Sequence, residues 1–167
     1  MSLTTTAIRS NTDLAHHVSP HGVVTDSQNA LGFKLLPASP TGPTLLVIED
    51  DQDLRWLLAL IFTEKGYQVI QAEDGEEGLK TALTTPVDLI LIDFDLPFIH
   101  GLEIVRQLRQ HPRFEALPII MMTCHGKAAY DSAVNAGCDE FLPKPIDFDR
   151  LYELLDYFAP LRTAQSV

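Results

Sequence analysis

The sequence contains little cysteine and no long apolar run. Cys124 and Cys138 are the only cysteines in 167 residues, too few for a disulfide framework, so we expect both to be reduced and to act as small apolar fillers. No apolar stretch is long enough to cross a bilayer, and the first residues lack the charged and apolar regions of a signal peptide. These absences exclude a disulfide-stapled secreted domain and a membrane-embedded protein, and we expect a cytoplasmic location.

Basic residues are scarce as well. The chain has 12 Lys and Arg against 23 Asp and Glu, a net charge of -11, which argues against direct binding to a nucleic acid backbone or an anionic membrane. Metal cations and basic partners fit this charge better. Residues 1–43 sum to zero, because they carry two basic and two acidic side chains: Arg9, Lys34, Asp13 and Asp26. The whole excess of negative charge therefore lies in residues 44–167, which favours a domain boundary near Pro43.

Residues 1–43 are rich in Ser, Thr, Asn, Gly and Pro and show no sustained period. This composition predicts a flexible N-terminal arm, with a short ordered piece around residues 31–36. Its three clustered histidines lack cysteine or carboxylate companions at ligand spacing, so we interpret them as solvent-exposed side chains. The predicted organisation is an arm over 1–43, one globular domain over 44–160 and a C-terminal tail over 161–167.

Five short apolar runs alternate with five amphipathic stretches beyond the arm. The run from Leu89 to Ile92 predicts a strand buried on both faces that ends on Asp93, and Pro97 must lie outside it. We predict strands over 44–48, 67–72, 89–93, 118–123 and 140–142. The first helix is expected between Asp53 as its N-cap and Gly66 as its stop, and the other helices over 76–83, 101–110, 127–136 and 147–158. This order predicts an α/β, doubly wound parallel sheet with helices on both faces.

Side chains that can do chemistry follow four of the predicted strands: Glu49 and Asp50, Asp93, Thr123, and Lys144. Carboxyl ends of parallel strands meet at one rim, so these five side chains should converge. Three crowded carboxylates repel one another, and a divalent cation relieves that repulsion; all-oxygen ligands favour Mg²⁺, with Mn²⁺ possible. Carboxylate, metal, lysine and threonine together can hold a phosphoryl group, and a carboxylate can accept one.

These residues stand in stretches that resemble the receiver domain of bacterial two-component response regulators. The matching stretches are residues 45–51, 88–97 with Gly101, 118–123 and 141–145, in the family's order and spacing. The resemblance covers about residues 44–160. It implies a flavodoxin-like receiver fold with five parallel strands in the order 2-1-3-4-5.

The resemblance also implies a role for each acidic residue of the rim. Asp93 is the phosphoacceptor. Asp50 and Asp93 ligate Mg²⁺ together with the backbone carbonyl of Asp95, and Glu49 reaches the metal mostly through water.

Three further residues have roles implied by the resemblance. Lys144 pairs with the acceptor carboxylate and then with a phosphoryl oxygen, and the bond from Lys144 to Pro145 is usually cis. Thr123 binds the phosphoryl group, and its shift is coupled to Phe141, the aromatic switch. The surface of the fourth helix, fifth strand and fifth helix then changes its affinity for partners, a population shift between two states.

Four positions depart from the commonest pattern of the family. His100 replaces a frequent Asp before Gly101, and Asp95 adds a negative charge near the phosphoryl site. Cys124 and His125 occupy positions that gate access of water. The lifetime of a phosphorylated state, and the affinity for metal, are therefore left open by the resemblance.

The function implied is two-component or phosphorelay signalling by a single-domain response regulator, although a fragment of a longer regulator stays an alternative. The phosphoryl donor would be a histidine kinase or a histidine phosphotransfer protein. The output would be contact with another protein or onward transfer of the phosphoryl group, and a homodimer through the fourth helix is possible. The protein would assist its own phosphorylation and dephosphorylation without being an enzyme for a separate substrate.

Two other functions stay open at this point. A docking module that is never phosphorylated would keep the fold, but such pseudo-receivers usually lose an acid, the Thr or the Lys, and all are present here. An aspartate-nucleophile phosphatase of the haloacid dehalogenase type is suggested by Asp93-Phe94-Asp95. However, Leu96 and Pro97 follow where that class has Thr or Val close by, and no cap domain is visible.

Overall fold

The structure is a computed structural model that describes residues 42–161, apart from the side chains of residues 127 and 128. The predicted arm and tail lie almost wholly outside these residues and stay predictions. None of the helices in the described range combines the length and apolar character that a membrane crossing requires.

Strands and helices alternate along the described chain as the sequence predicts. The strands are β1 Thr44–Ile48, β2 Gln68–Ala72, β3 Leu89–Asp93, β4 Ile119–Thr123 and β5 Glu140–Pro143. The helices are α1 Gln52–Lys65, α2 Gly75–Thr84, α3 Gly101–Arg109, α4 Lys127–Ala136 and α5 Phe148–Phe158. A short 3-10 helix over Pro112–Phe114, which was not predicted, leads from α3 into β4.

All five strands pair in parallel in the order β2-β1-β3-β4-β5. Strand β3 is central: Leu91 lies opposite Val47 of β1 on one side and Ile120 of β4 on the other. Every residue of β3 is buried, which explains why its sequence is continuously apolar instead of alternating. The doubly wound fold and its strand order are confirmed.

The two faces of the sheet form two separate apolar cores. Ile90 and Ile92 of β3 belong to the core that α2, α3 and α4 cover, whereas Leu89 and Leu91 belong to the core that α1 and α5 cover. Successive residues of a strand point to opposite faces, so one strand supplies both cores. This packing holds the carboxyl ends of β1, β3, β4 and β5 at one rim.

Helix α1 corrects one prediction. Asp51, not Asp53, is the N-cap, since its carboxylate accepts the backbone N–H of Leu54 at 2.8 Å. Asp53 lies in the first turn, where a negative charge interacts favourably with the helix dipole. Gly66 ends the helix at a φ of 105°, in the left-handed region that glycine adopts readily.

The two cysteines have different surroundings. Cys138 packs against the core on the α2, α3 and α4 side, and burial raises the pKa of its thiol to about 12. Cys124 is exposed, because it comes directly after the last residue of β4, where the chain leaves the sheet. Both thiols are free. The prediction of an apolar filler is therefore wrong for Cys124.

Candidate functional site

The parallel sheet brings the predicted site residues to one edge. Glu49 follows β1, Asp93 ends β3, Thr123 ends β4 and Lys144 follows β5. The fifth strand is held against the fourth at this edge, because the Lys144 N–H donates to the Thr123 carbonyl at 2.7 Å. The bond from Lys144 to Pro145 is cis, as the resemblance implied.

The Lys144 ammonium joins two of the three carboxylates. Its Nζ lies 3.0 and 2.9 Å from the two carboxylate oxygens of Glu49 and 2.9 Å from Oδ1 of Asp93. Both acids are buried, with Glu49 1% and Asp93 4% exposed. A buried carboxylate is costly unless it is paired, so the lysine makes the burial of these acids possible.

The site contains more negative than positive charge. Carboxylate oxygens of Glu49, Asp50 and Asp93 lie within 4.8 Å of one another, and Asp50 is exposed at the mouth. One ammonium balances only one of these three charges. An all-oxygen donor set with an uncompensated charge of about two fits a divalent cation such as Mg²⁺. The backbone carbonyl of Asp95 stays a predicted fourth ligand.

Protonation in the site follows from burial and from the lysine. Burial raises the pKa of Asp93 and of Glu49, and the hydrogen bonds from Lys144 oppose this effect only in part. Burial acts to lower the pKa of Lys144, but its hydrogen bonds to Glu49 and Asp93 outweigh this, so its pKa is raised. The lysine therefore stays charged, and the carboxylates gain from additional positive charge.

Two of the departures from the family pattern contact each other. His125 Nε2 lies 2.9 and 3.0 Å from the two carboxylate oxygens of Asp95, and its ring meets Phe94 edge to face at 5.3 Å between centroids. The backbone N–H of His125 donates to the hydroxyl oxygen of the buried Thr123 at 3.0 Å. The contact between Asp95 and His125 thus bridges the loops after β3 and β4 beside the acceptor.

The predicted switch residue lies between the sheet and α4. Phe141 is half-buried, opposite Met121 of β4, and its ring packs edge to face on Tyr130 of α4 at 5.5 Å. An aromatic ring in this place links strand β5 to helix α4. Its movement stays a prediction.

Helix α3 begins at a close approach to the acceptor strand. A Cβ atom on Gly101 would lie 2.2 Å from the carbonyl oxygen of Asp93, so this position excludes larger residues. His100 is the N-cap residue of α3, but its side chain makes no capping hydrogen bond. Helix α3 therefore begins without a side-chain cap.

Arg55 is a site residue that the sequence reasoning missed. Its Nη1 donates to the backbone carbonyls of Glu49 at 2.6 Å and Asp50 at 3.2 Å. The guanidinium thereby holds the segment that carries two of the acids. A side chain that contacts carbonyl groups leaves no hydropathy pattern, and only the position one turn into α1, on the same rim, could have suggested it.

The family model for the response regulator receiver domain matches residues 45–156. The chain belongs to this family. Its receiver domain is therefore a two-component signalling domain, as the motifs at the strand ends predicted. The match includes all the residues described above, from Glu49 to Lys144.

Relatives support the same assignment. Response regulator ArlR of Staphylococcus aureus (strain NCTC 8325 / PS 47) is 38% identical over 109 residues, which cover 64% of this chain and 48% of ArlR. The chain thus spans about half the length of the curated relatives it matches.

Solved receiver structures share the fold. Chemotaxis response regulator CheY4 of Vibrio cholerae aligns with a TM-score of 0.66 and 26% identity, over 71% of this chain and 99% of CheY4. The receiver domain of the Pseudomonas aeruginosa PAO1 sensor histidine kinase PA1611, solved with magnesium in its active-site cleft, aligns with a TM-score of 0.66 and 25% identity, over 70% and 97% of the two chains.

Proposed function

We propose that this receiver accepts a phosphoryl group on Asp93 from the phosphohistidine of a histidine kinase or a histidine phosphotransfer protein, in a reaction that requires Mg²⁺. The observation that carries the proposal is the buried Asp93 carboxylate, held 2.9 Å from Lys144 Nζ beside the carboxylates of Glu49 and Asp50. Magnesium in the active-site cleft of the related PA1611 receiver supports the proposal of a cation at this acidic cluster.

The side chains of this chain prepare Asp93 as an acceptor. Lys144 pairs with Oδ1, so the second carboxylate oxygen is the one available to attack phosphorus. A bond forms between that oxygen and phosphorus while the bond from phosphorus to the donor imidazole nitrogen breaks, and the imidazole keeps the electron pair. A bound magnesium ion would supply positive charge for the phosphoryl oxygens.

Lys144 and Thr123 stabilise the product. The Lys144 ammonium exchanges its contact with the Asp93 oxygen for a contact with a phosphoryl oxygen. The Thr123 hydroxyl donates a hydrogen bond to another phosphoryl oxygen. Because Thr123 lies on β4 and Phe141 pairs with Met121, two residues earlier on the same strand, this contact favours a different position of Phe141 against Tyr130. The surface of α4, β5 and α5 then changes its affinity for an output protein or for a second copy of the chain.

The reaction serves signalling and not turnover of a separate substrate. The protein supplies the acceptor and stabilising groups for its own phosphorylation. A water that reaches phosphorus past the bridge between Asp95 and His125 hydrolyses the aspartyl phosphate. The water oxygen bonds to phosphorus, the bond from phosphorus to the Asp93 oxygen breaks, and the free carboxylate and inorganic phosphate result. The exposed bridge is placed to influence how long the phosphorylated state lasts.

Intact-protein mass after incubation with acetyl phosphate and Mg²⁺ tests the proposal. The parent and an Asp95→Asn control should each gain one phosphoryl group, whereas Asp93→Asn should gain none. If hydrolysis outruns detection, beryllofluoride, a stable mimic of the phosphoryl group, should bind to the parent and not to Asp93→Asn. A parent that forms neither the adduct nor the beryllofluoride complex would instead be a docking module.

A further inference from the structure

Phe98 combines two features that are unusual in one residue. Its side chain is 96% exposed, and its backbone has a φ of 65°, the only positive φ of a non-glycine residue in the described part of the chain. Bulky residues rarely adopt this left-handed conformation, and an exposed aromatic ring contributes nothing to the core. Folding alone does not account for a phenylalanine here, and strained residues of this kind cluster at functional sites.

The loop that carries Phe98 is attached to the acceptor. It connects Asp93 to α3, and its ends are drawn together because the Gly101 N–H donates to the Phe94 carbonyl at 3.2 Å. Gly101 itself packs against the Asp93 carbonyl. Phe98 is three residues from Gly101, so their Cα atoms are at most about 11 Å apart. The backbone of Phe98 therefore lies within about that distance of the glycine that packs on the acceptor strand.

A protein donor must cover this neighbourhood. The donor imidazole has to reach bonding distance of Asp93, which places the acceptor inside the interface. A protein interface of standard size covers about 800 Å² on each partner, a disc of about 16 Å radius. A disc of that size centred on Asp93 includes the tip of the loop.

We propose that Phe98 anchors the phosphohistidine-bearing donor by inserting into an apolar cavity next to the donor histidine; this rests on the proposed function. The surrounding rim is acidic, since Asp50, Asp51, Asp53 and Asp95 are all exposed. Charge attracts a donor with a basic rim, whereas a buried aromatic ring supplies specific, short-range affinity. The donor surface expected is a basic one around an apolar cavity.

Two phosphoryl donors separate docking from chemistry. Acetyl phosphate needs no protein interface, whereas a histidine kinase does. A panel of autophosphorylated histidine kinase cores is first tested against the parent, and the core that transfers its phosphoryl group fastest is used. Phe98→Asn removes the ring, and Asn is among the non-glycine residues that most readily adopt a positive φ, so we expect the variant to fold. The variant should keep the parental rate with acetyl phosphate and lose about tenfold or more in kcat/KM for transfer from the kinase.

Two variants serve as controls. Phe98→Tyr keeps the ring and should retain most of the kinase transfer. Tyr157→Asn removes an aromatic side chain that is 78% exposed near the end of α5, nine residues or about 14 Å along the helix from its start at the rim. It should transfer at the parental rate.

Kinase transfer at the parental rate in Phe98→Asn would overturn the proposal, and so would an equal loss with both donors. Unchanged transfer with loss of self-association in sedimentation would assign Phe98 to contact with a second copy. Failure of the proposed function has a different signature, because the parent itself would then gain no phosphoryl group from acetyl phosphate.

Discussion

Each end of the sheet has a polar cluster built around one basic side chain, Arg109 at the amino end and Lys144 at the carboxyl end. The two clusters differ in their balance of charge. At the amino end, Arg109 donates to the carbonyls of Gly137 at 2.8 Å, Leu117 at 2.9 Å and Phe114, and to the carboxylate of Asp139 at 2.7 Å. One carboxylate meets one guanidinium. At the carboxyl end, one ammonium pairs with two carboxylates, and a third carboxylate lies beside them.

The difference separates a structural cluster from a binding site. Arg109 closes the turns between α3, β4 and β5, and Asp139 also accepts the N–H of Ile119 at 2.7 Å, so nothing in this cluster is left to attract a ligand. The cluster at Lys144 is left with an excess of negative charge, and burial raises the pKa of two of its acids, Glu49 and Asp93. Such an arrangement gives up stability in the free protein and gains it when a cation binds.

Removal of Arg109 should have the largest effect on stability. Arg109→Ala leaves three carbonyls and Asp139 without their donor, so we expect a loss of about 2–4 kcal/mol in the free energy of unfolding. Urea denaturation followed by circular dichroism measures it. Arg106→Ala is the matched control on the same helix, because Arg106 makes only an exposed pair with Glu103 at 3.7 Å, and it should change stability by less than about 1 kcal/mol. Equal effects of the two substitutions would contradict the structural role of Arg109.

Gly101→Ala tests how tightly the acceptor strand is packed at the other end. The added Cβ would meet the Asp93 carbonyl at 2.2 Å, and the resulting shift should cost about 1–3 kcal/mol and slow labelling by acetyl phosphate. Gly126→Ala serves as control, because a Cβ there meets nothing within 4 Å. Gly101→Ala with parental stability and labelling would show that the acceptor does not depend on this contact.

Arg55→Ala should weaken Mg²⁺ binding with a smaller effect on folding. Without the guanidinium, the segment that carries Glu49 and Asp50 loses two hydrogen bonds to its carbonyls. Loss of a supporting contact typically weakens metal binding by about tenfold or more. Calorimetric titration with Mg²⁺ measures it, and Arg55→Lys should recover part of the affinity. Parental affinity in Arg55→Ala would remove this residue from the site.

The sequence predicted the fold and the main site because both depend on short-range patterns. The apolar run before Asp93 specifies a buried strand, and a parallel sheet then brings Glu49, Thr123 and Lys144 to the same edge. The prediction of Asp53 instead of Asp51 as the N-cap of α1 was wrong because both residues are aspartates and lie only two positions apart. Only the backbone geometry decides between them.

Other features depend on tertiary contacts that no pattern shows. Arg55 acts on carbonyl groups, which every residue has. The positive φ of Phe98 accompanies a tight turn in which the Ile99 N–H donates to the Pro97 carbonyl at 2.7 Å. The bridge between Asp95 and His125 requires two loops from different strands. In each case the residue type alone favours an ordinary exposed side chain.

Titration of Mg²⁺ into the parent and into Asp50→Asn, followed by calorimetry, tests most directly whether the charge excess at the rim is a cation site. Asp53→Asn is the matched control, since it removes the same charge from an exposed carboxylate three residues away. We predict that the parent and Asp53→Asn each bind one Mg²⁺, and that the affinity is weakened about tenfold or more in Asp50→Asn. Equal affinities in Asp50→Asn and Asp53→Asn would contradict it, because the carboxylates would then attract Mg²⁺ only through their general charge.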